Sequence, residues 1–431
     1  AFSPDGRALA AGNGETVGLW NVESGTARWS RKRTVERSLC VLFYERQPQS
    51  ALSLIVGTNE GSVQVWDSGS GKPRRTIHDD VYRFCRILRG IGGAPLMVRR
   101  RGDEPGLPLI DVDSGATVGP AHLMPFGDEY GMSSDGHLLA YAAPIDGQPD
   151  RRRIIVSDFA TGGELRTLVS RDGSVGKLTF SRDNRWLLSS SSESSALWDL
   201  TNGEAVPTPA AGNVELSPDG HWLSWRADIG RASVVLFSPL SSAKRVLRAD
   251  GPVNRVFFSP NGRYLAAGLD GPVSVWEVET GRRVLTLRVG VAMGWSVFCP
   301  DERCILTGSM TKPLQLWDIA TGHEMIPGLS RLTRWGTHSF SPDMRWLATS
   351  ASDGGVEIWD VAARTSVASL YVLDNGKTWL VRTPSGFFDV SDDETAGRLI
   401  TWTIGNEMYQ AEQFSRQRHR PGLLAALLAG R

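Results

Sequence analysis

The sequence has no excess of either charge, few cysteines and no long apolar run. Forty-seven Lys and Arg offset forty-seven Asp and Glu, giving a formal net charge of +0, so no global field draws the chain to nucleic acid or to an anionic membrane. Short basic runs at Arg31 to Arg33, Arg99 to Arg101 and Arg151 to Arg153 are interrupted by neutral residues and share no period, so they read as solvated loops rather than a binding stripe. No apolar stretch nears the roughly 20 residues a spanning helix requires. The start shows no basic segment followed by an apolar core. It opens at Ala1-Phe2-Ser3-Pro4, inside a repeat unit, so a fragment of a longer, cytoplasmic protein is expected, without membrane contact. Four cysteines in 431 residues exclude a disulfide framework. Cys40 and Cys85 read as small buried hydrophobes. Cys299 and Cys304 flank one turn in "FCPDERC"; a cross-strand disulfide is geometrically conceivable there, but reduced core thiols are expected, and two thiols are too few for structural zinc. No G-x-S-x-G elbow, Walker loop or H-E-x-x-H is found. The seven histidines, among them His137, His221, His323, His338 and His419, fall at unrelated positions. No catalytic, cofactor or metal residue is therefore expected, and no enzyme.

What the sequence does have is repetition. A turn written Ser-Pro-Asp/Asn-Gly stands at Ser3, Ser217 and Ser259, with looser copies at Ser133, Ser181, Cys299, Ser341 and Thr383. Proline presets one φ, Asp or Asn bonds back to local backbone, and Gly takes the left-handed conformation. Asn184 can replace that Gly at modest cost, whereas Glu302 and Met344 are expected to be strained. A second landmark is an apolar strand ending in Trp-Asp or a relative with Gly soon after, as in "LWNVESG" (Leu19), "VWDSGSG" (Val65), "LWDLTNG" (Leu197), "VWEVETG" (Val275) and "LWDIATG" (Leu316). Successive copies lie about 39 to 47 residues apart, the length of one four-stranded propeller blade. Ten units result, with two hidden turns expected near Tyr44 and Arg89.

Within a unit, "VNRVFFS", "RYLAAGL", "VSVWEV" and "RRVLTL" read as four short strands. The first three are apolar at their centres, as strands buried on both faces should be. The fourth is more polar and suits an outer edge. The Trp ending the third strand is expected to fill the gap to the next blade. One such blade covers neither of its faces, so it requires stacked neighbours.

The recurring "FSPDG", "LAAG.DG" and "VWD..TG" resemble the WD-repeat β-propeller family across nearly the whole chain. The resemblance implies an all-β fold of about ten four-stranded blades with a short C-terminal helical tail. The family pattern places a Gly-His pair before each first strand, its His joining a Ser/Thr, Asp and Trp network; here only His78 and His122 stand in that loop, so most blades lack the full network. The last unit, with Trp379, Thr383 to Asp389, Trp402, Phe414 and Arg420 to Leu424, resembles the segment closing the propeller region in bacterial WD-repeat proteins joined to caspase-like peptidase domains. Similar tails stand beside kinases and nucleotide-binding switch domains. In such proteins the propeller senses or binds a partner and the joined domain is the effector. After Ile404 a helical tail is expected, with Leu423, Leu424, Leu427 and Leu428 as one stripe, docked on the last blade rather than reserved for a partner.

Ten units exceed the four to eight usual in one ring. The expected division is residues 1–120 as three blades of an upstream propeller, 121–405 as a seven-bladed propeller and 406–431 as the tail. The residues four before the turn Ser or Cys should gather at the channel mouth: Lys177, Asn213, Arg255, Trp295 and Thr337. Their mixture of charge, amide, indole and hydroxyl suits a protein or peptide partner, although variable mouth residues without a partner remain an alternative. The sequence thus points to a non-catalytic protein-interaction platform without cofactor, regulating an effector outside this stretch. The competing readings are a hydrolase housed in the propeller and nucleic-acid binding through the Arg-rich loops, the latter predicting steep salt dependence.

Overall fold

A computed structural model describes the strands throughout the chain and most residues from 130 onward. Outside the description lie residues 33–37, 45–52, 68–72, 78–85, 90–94, 99–108, 112–116, 119–129, 170–174, 209–213, 289–294, 309–313, 330–337, 391–400, 411–414, 429–431 and several segments of four residues or fewer. Before residue 130, side chains are described mainly in residues 1–24. The hidden turns near Tyr44 and Arg89, and His78 and His122, fall on residues outside the description.

The described strands form ten antiparallel sheets, six of them four-stranded meanders in chain order. Numbered along the chain, the fourth sheet runs over residues 130–169, the fifth over 177–206, the sixth over 214–248 and the seventh over 255–287. The ninth departs from the pattern. Its strands His338–Phe340, Trp346–Ser350, Val356–Asp360 and Thr365–Leu373 continue into Thr378–Arg382 and Phe388–Val390, giving six. The hairpin around Thr383 to Gly386, expected to open the tenth unit, instead extends the ninth sheet, because Thr365–Leu373 is long enough to pair with Val356–Asp360 on one edge and Thr378–Arg382 on the other. Among the described strands, the hairpin Thr401–Ile404 with Glu407–Gln410 forms a separate, two-stranded sheet. That hairpin makes residues 407–410 a strand where a helix was expected, since Trp402 pairs with Tyr409. Short helices follow at Ser415–Arg418 and Leu423–Leu428.

The turns hold as their composition dictates. Ser133 Oγ donates to Asp135 Oδ1 at 2.6 Å; that oxygen accepts from His137 N at 3.0 Å, and Ser133 Oγ accepts from Leu138 N at 2.8 Å. The same Ser-to-Asp bond recurs at Asp5, Asp183, Asp219 and Asp343. The Ser133 hydroxyl holds the Asp135 carboxyl below its ordinary range, and the Thr161 backbone and hydroxyl do the same for Asp158. A depressed folded-state pKa adds stability above the unfolded value near 4, and that stability is lost as pH falls through the folded value. The fourth turn residue is left-handed in every such turn described, with φ of 76° at Gly220 and 79° at Gly262, but also 59° at Asn184 and Glu302 and 61° at Met344. A Cβ at Gly220 would meet Trp186 at 2.6 Å, so space as well as φ requires glycine there. The turn after the third strand behaves alike, with Ser242 and Arg364 at 57° and 60° where other sheets carry Gly.

Burial is concentrated between consecutive sheets. Trp198 of the fifth sheet clusters with Ile154, Val156 and Leu168 of the fourth, and Trp276 of the seventh with Val234, Leu236 and Leu247 of the sixth. The tryptophan thus packs on the sheet before its own, not on the next one as expected, because its face of the third strand looks back along the chain. Fourth strands such as Glu164–Val169 and Lys244–Arg248 are mostly exposed.

By contacts the chain divides into two compact units, one of residues 1–84, 313–315 and 325–431, the other of 85–312 and 316–324. This grouping differs from the division at residues 120 and 405 read from the repeats. Within the first unit, Trp20 of the first sheet clusters with Ala348, Ile358, Ala368 and Leu370 of the ninth. Phe2 N donates to Ser339 Oγ at 3.0 Å, and the Gly6 turn lies against Pro342. The first sheet stands to the ninth as the fifth stands to the fourth.

Three third-strand indoles donate to a hydroxyl on the neighbouring second strand: Trp198 to Ser189 at 3.0 Å, Trp317 to Thr307 at 2.9 Å and Trp359 to Thr349 at 3.2 Å. Trp20 Nε1 is buried with no partner among the described residues. The register pairs Trp20 with Leu9 as it pairs Trp198 with Leu187 and Trp359 with Leu347, so the position that matches Ser189 and Thr349, two residues on, is Ala11, which has no oxygen to offer. Cys299 and Cys304 also correct an expectation, for they form a disulfide with Cα atoms 5.3 Å apart. Flanking the turn, they continue the register in which Phe298 faces Ile305, and this sets the two sulfurs opposite one another.

Three outcomes follow. Ala11→Thr should supply the missing acceptor and raise stability by about 1 kcal/mol, read as a higher urea midpoint; an unchanged midpoint would mean the indole is already served. Met344→Gly should relieve a left-handed backbone strain of about 1–2 kcal/mol, partly offset by unfolded-state entropy, for a net gain below about 1 kcal/mol. Alkylation of the denatured, unreduced chain should leave the peptide carrying Cys299 and Cys304 unmodified in a mass spectrum, and full labelling of that peptide would remove the disulfide.

Candidate functional site

Of the five residues expected at a channel mouth, three lie on described strands. Lys177 opens Lys177–Phe180, Arg255 opens Arg255–Phe258 and Trp295 opens Trp295–Phe298, each as the first residue of a first strand. Asn213 and Thr337 lie outside the described residues. First strands of successive sheets approach one another, Tyr130–Met132 beside Lys177–Phe180 and Val214–Leu216 beside Arg255–Phe258, which puts Lys177 and Arg255 on the converging side of their sheets. Lys177 Nζ lies 3.0 and 2.9 Å from the two Glu215 carboxylate oxygens on the following sheet. Its charge is thereby matched, in an exposed pair that contributes little stability. Arg255 is exposed, and its guanidinium carbon lies 5.8 Å from the centre of the Phe257 ring.

The polar clusters that could support catalysis or metal binding have structural employment. His221 Nδ1 stands 3.6 Å from Asp219 at the surface. Cys299, Asp301 and Cys304 bring ligand-type atoms within 4.8 Å of one another, but the two sulfurs are bonded to each other. His419 is the most enclosed acid-paired histidine described. Its Nε2 lies 3.3 Å from Asp389 Oδ1, and its ring stacks on Phe388 at 5.3 Å and 7°.

That histidine belongs to a surface the sequence reading did not assemble. The Thr383 turn is closed by Phe387 N donating to Thr383 Oγ1 at 3.0 Å. The tail returns to it: Arg420 N donates to Phe388 O at 2.9 Å, so residues 419 and 420 run along the last strand of the ninth sheet. Asp389, 5 % exposed, locks this return. Its Oδ2 accepts from Gly422 N at 2.8 Å and Leu423 N at 3.4 Å, at the start of the final helix. Leu423 and Leu424 then bury against the first and ninth sheets. Between turn, fourth strand and helix lies a groove of about 630 Å³ whose lining includes Val367, Phe387, Leu423 and Leu427. Arg418 and Arg420 both lie over the Phe387 ring, at 5.4 and 5.1 Å. The sequence signal was present in "TPSGFFD" and "RHRPGLL", but these are separate stretches that only the folded tail brings together.

Comparison with known proteins fits this architecture. The model of the family described as "WD domain, G-beta repeat" matches residues 241–277 and 321–360. The "COMPASS component SWD3" of Saccharomyces cerevisiae is 29 % identical over 193 residues, 40 % of this chain and 58 % of that protein. The "Nuclear distribution protein PAC1" of Arthroderma benhamiae is 24 % identical over 284 residues, 62 % of this chain and 56 % of that protein. The chain thus spans somewhat more than half the length of these relatives. A solved structure of a eukaryotic initiation factor superimposes with a TM-score of 0.56 at 13 % identity, over 83 % of this chain and 94 % of that one, and so shares the fold. With the turn and third-strand landmarks recurring sheet after sheet, these matches show WD repeats at residues 241–277 and 321–360 and a likeness of the chain to WD-repeat proteins.

Proposed function

We propose that the chain is a protein-interaction scaffold without chemistry of its own, and that in the intact protein it recognises a partner and thereby regulates a joined effector domain. The observation that carries the reading is how the interior is used. Described apolar side chains are spent on packing sheet against sheet, and the acid–histidine and cysteine clusters are spent on turns, the tail and a disulfide. What remains for function is surface, including the exposed strand-opening residue Arg255, and Trp295 opens the corresponding strand of the eighth sheet. The relatives support the same reading, since one of them is by name a component of an assembly.

The test begins with cross-linking in cells that express the full protein and identification of the attached chains by mass spectrometry. Calorimetry with the purified partner should give an affinity that changes little between low and high salt. Arg255→Ala with Trp295→Ala should weaken it at least tenfold if the strand-opening residues form the contact; an unchanged affinity would move the contact elsewhere. Turnover of peptide, ester or phosphate substrates would overturn the reading, and so would binding confined to oligonucleotides that weakens steeply with salt.

A further inference from the structure

The groove between the Thr383 turn and the final helix combines an apolar floor with a cationic rim. Its floor is apolar, from Val367, Phe387, Leu423 and Leu427, and its volume of about 630 Å³ lies within the usual range of ligand sites. Its rim is cationic: Arg420 lines the groove, and Arg418 shares the Phe387 ring with it from the adjoining tail. Among the described residues no Asp or Glu lines the groove. Asp389, the buried carboxylate beside it, turns its oxygens inward to His419, Gly422 and Leu423. The Arg420 guanidinium donates to its neighbour's carbonyl, His419 O, at 3.0 Å, and no carboxylate pairs with it among the described residues. An arginine on an aromatic ring keeps its planar edge free to grip a carboxylate with two parallel N–H donors.

We propose that this groove docks a peptide segment of a partner protein in which a carboxylate stands next to an apolar side chain, the apolar group filling the space over Phe387 and Leu427 and the carboxylate meeting Arg420. The proposal rests on the scaffold reading and gives it a second contact surface, separate from the strand-opening residues. The groove's shape depends on a tail held by Asp389 and by two buried leucines, so the site is formed before the peptide arrives. A preformed site spares binding the cost of ordering the tail.

The experiment is selection of a displayed random dodecapeptide library on the purified full chain, followed by fluorescence anisotropy of synthetic winners. Two variants are compared. Arg420→Glu reverses the rim charge at an exposed side chain, and Ala426→Trp fills the lip of the groove from an exposed position and leaves the charge alone. Thermal melts confirm that each is folded. Winners should be enriched in Asp or Glu beside Leu, Phe or Trp, and should bind each variant at least tenfold more weakly. Winners without acidic enrichment, winners that bind both variants within twofold of the unaltered chain, or no winners at all would overturn the groove as a docking site. Winners indifferent to both variants would do so while leaving the scaffold reading intact, because the peptides would then bind another surface of the same chain.

Discussion

An indole at the end of a third strand, buried against the preceding sheet, is the interaction on which the other features rest. A short antiparallel sheet with two apolar faces has no stable life alone. Each Trp converts that liability into a join, because its large area is covered only when the earlier sheet is present. Trp198, Trp276 and Trp20 make the same join in different parts of the chain. Burial of one such ring is worth several kcal/mol, far more than any single hydrogen bond around it. The indole-to-hydroxyl bonds of Trp198, Trp317 and Trp359 orient their rings and add to that join without carrying it.

The turns meet a second requirement, that the strands reverse tightly enough for successive indoles to align. Their Ser and Asp side chains satisfy backbone donors within five residues, so each turn is self-contained. That explains why Glu302 and Met344 can occupy left-handed positions at some cost: the hydrogen bonds around them still close. Glu302 gains something in exchange, for its carboxylate accepts from Asn261 N at 2.6 Å on the neighbouring sheet. A residue poor for its own turn thus ties two turns together.

Much of this was legible because it is local. Strand order within a repeat, the turn chemistry, the strained Glu302 and Met344 and the exposed fourth strands all follow from residues close in sequence. What was not legible depended on distant residues. Nothing near Thr378–Arg382 says that it will extend the ninth sheet rather than begin another, because the choice rests on the length of Thr365–Leu373. The strand at Glu407–Gln410 was masked by a three-residue spacing of apolar groups that also fits a helix. The cysteine pair lay within reach of the sequence, and the general scarcity of cysteine outweighed the register that sets the two face to face. The groove was invisible for another reason: Phe387 and Arg420 lie 33 residues apart and meet only because Asp389 holds the tail in place.

The packing of the first sheet on the ninth bears on how the chain is made. Phe2 and Ser339, bonded in the folded protein, are separated by 337 residues. At a synthesis rate of 5–20 residues per second, the ribosome needs roughly 17 to 67 s between the two. Throughout that interval Trp20 has emerged while the surface that covers it does not yet exist. The first sheet must wait with an apolar face in water, and the wait ends only when the ninth sheet has been synthesised.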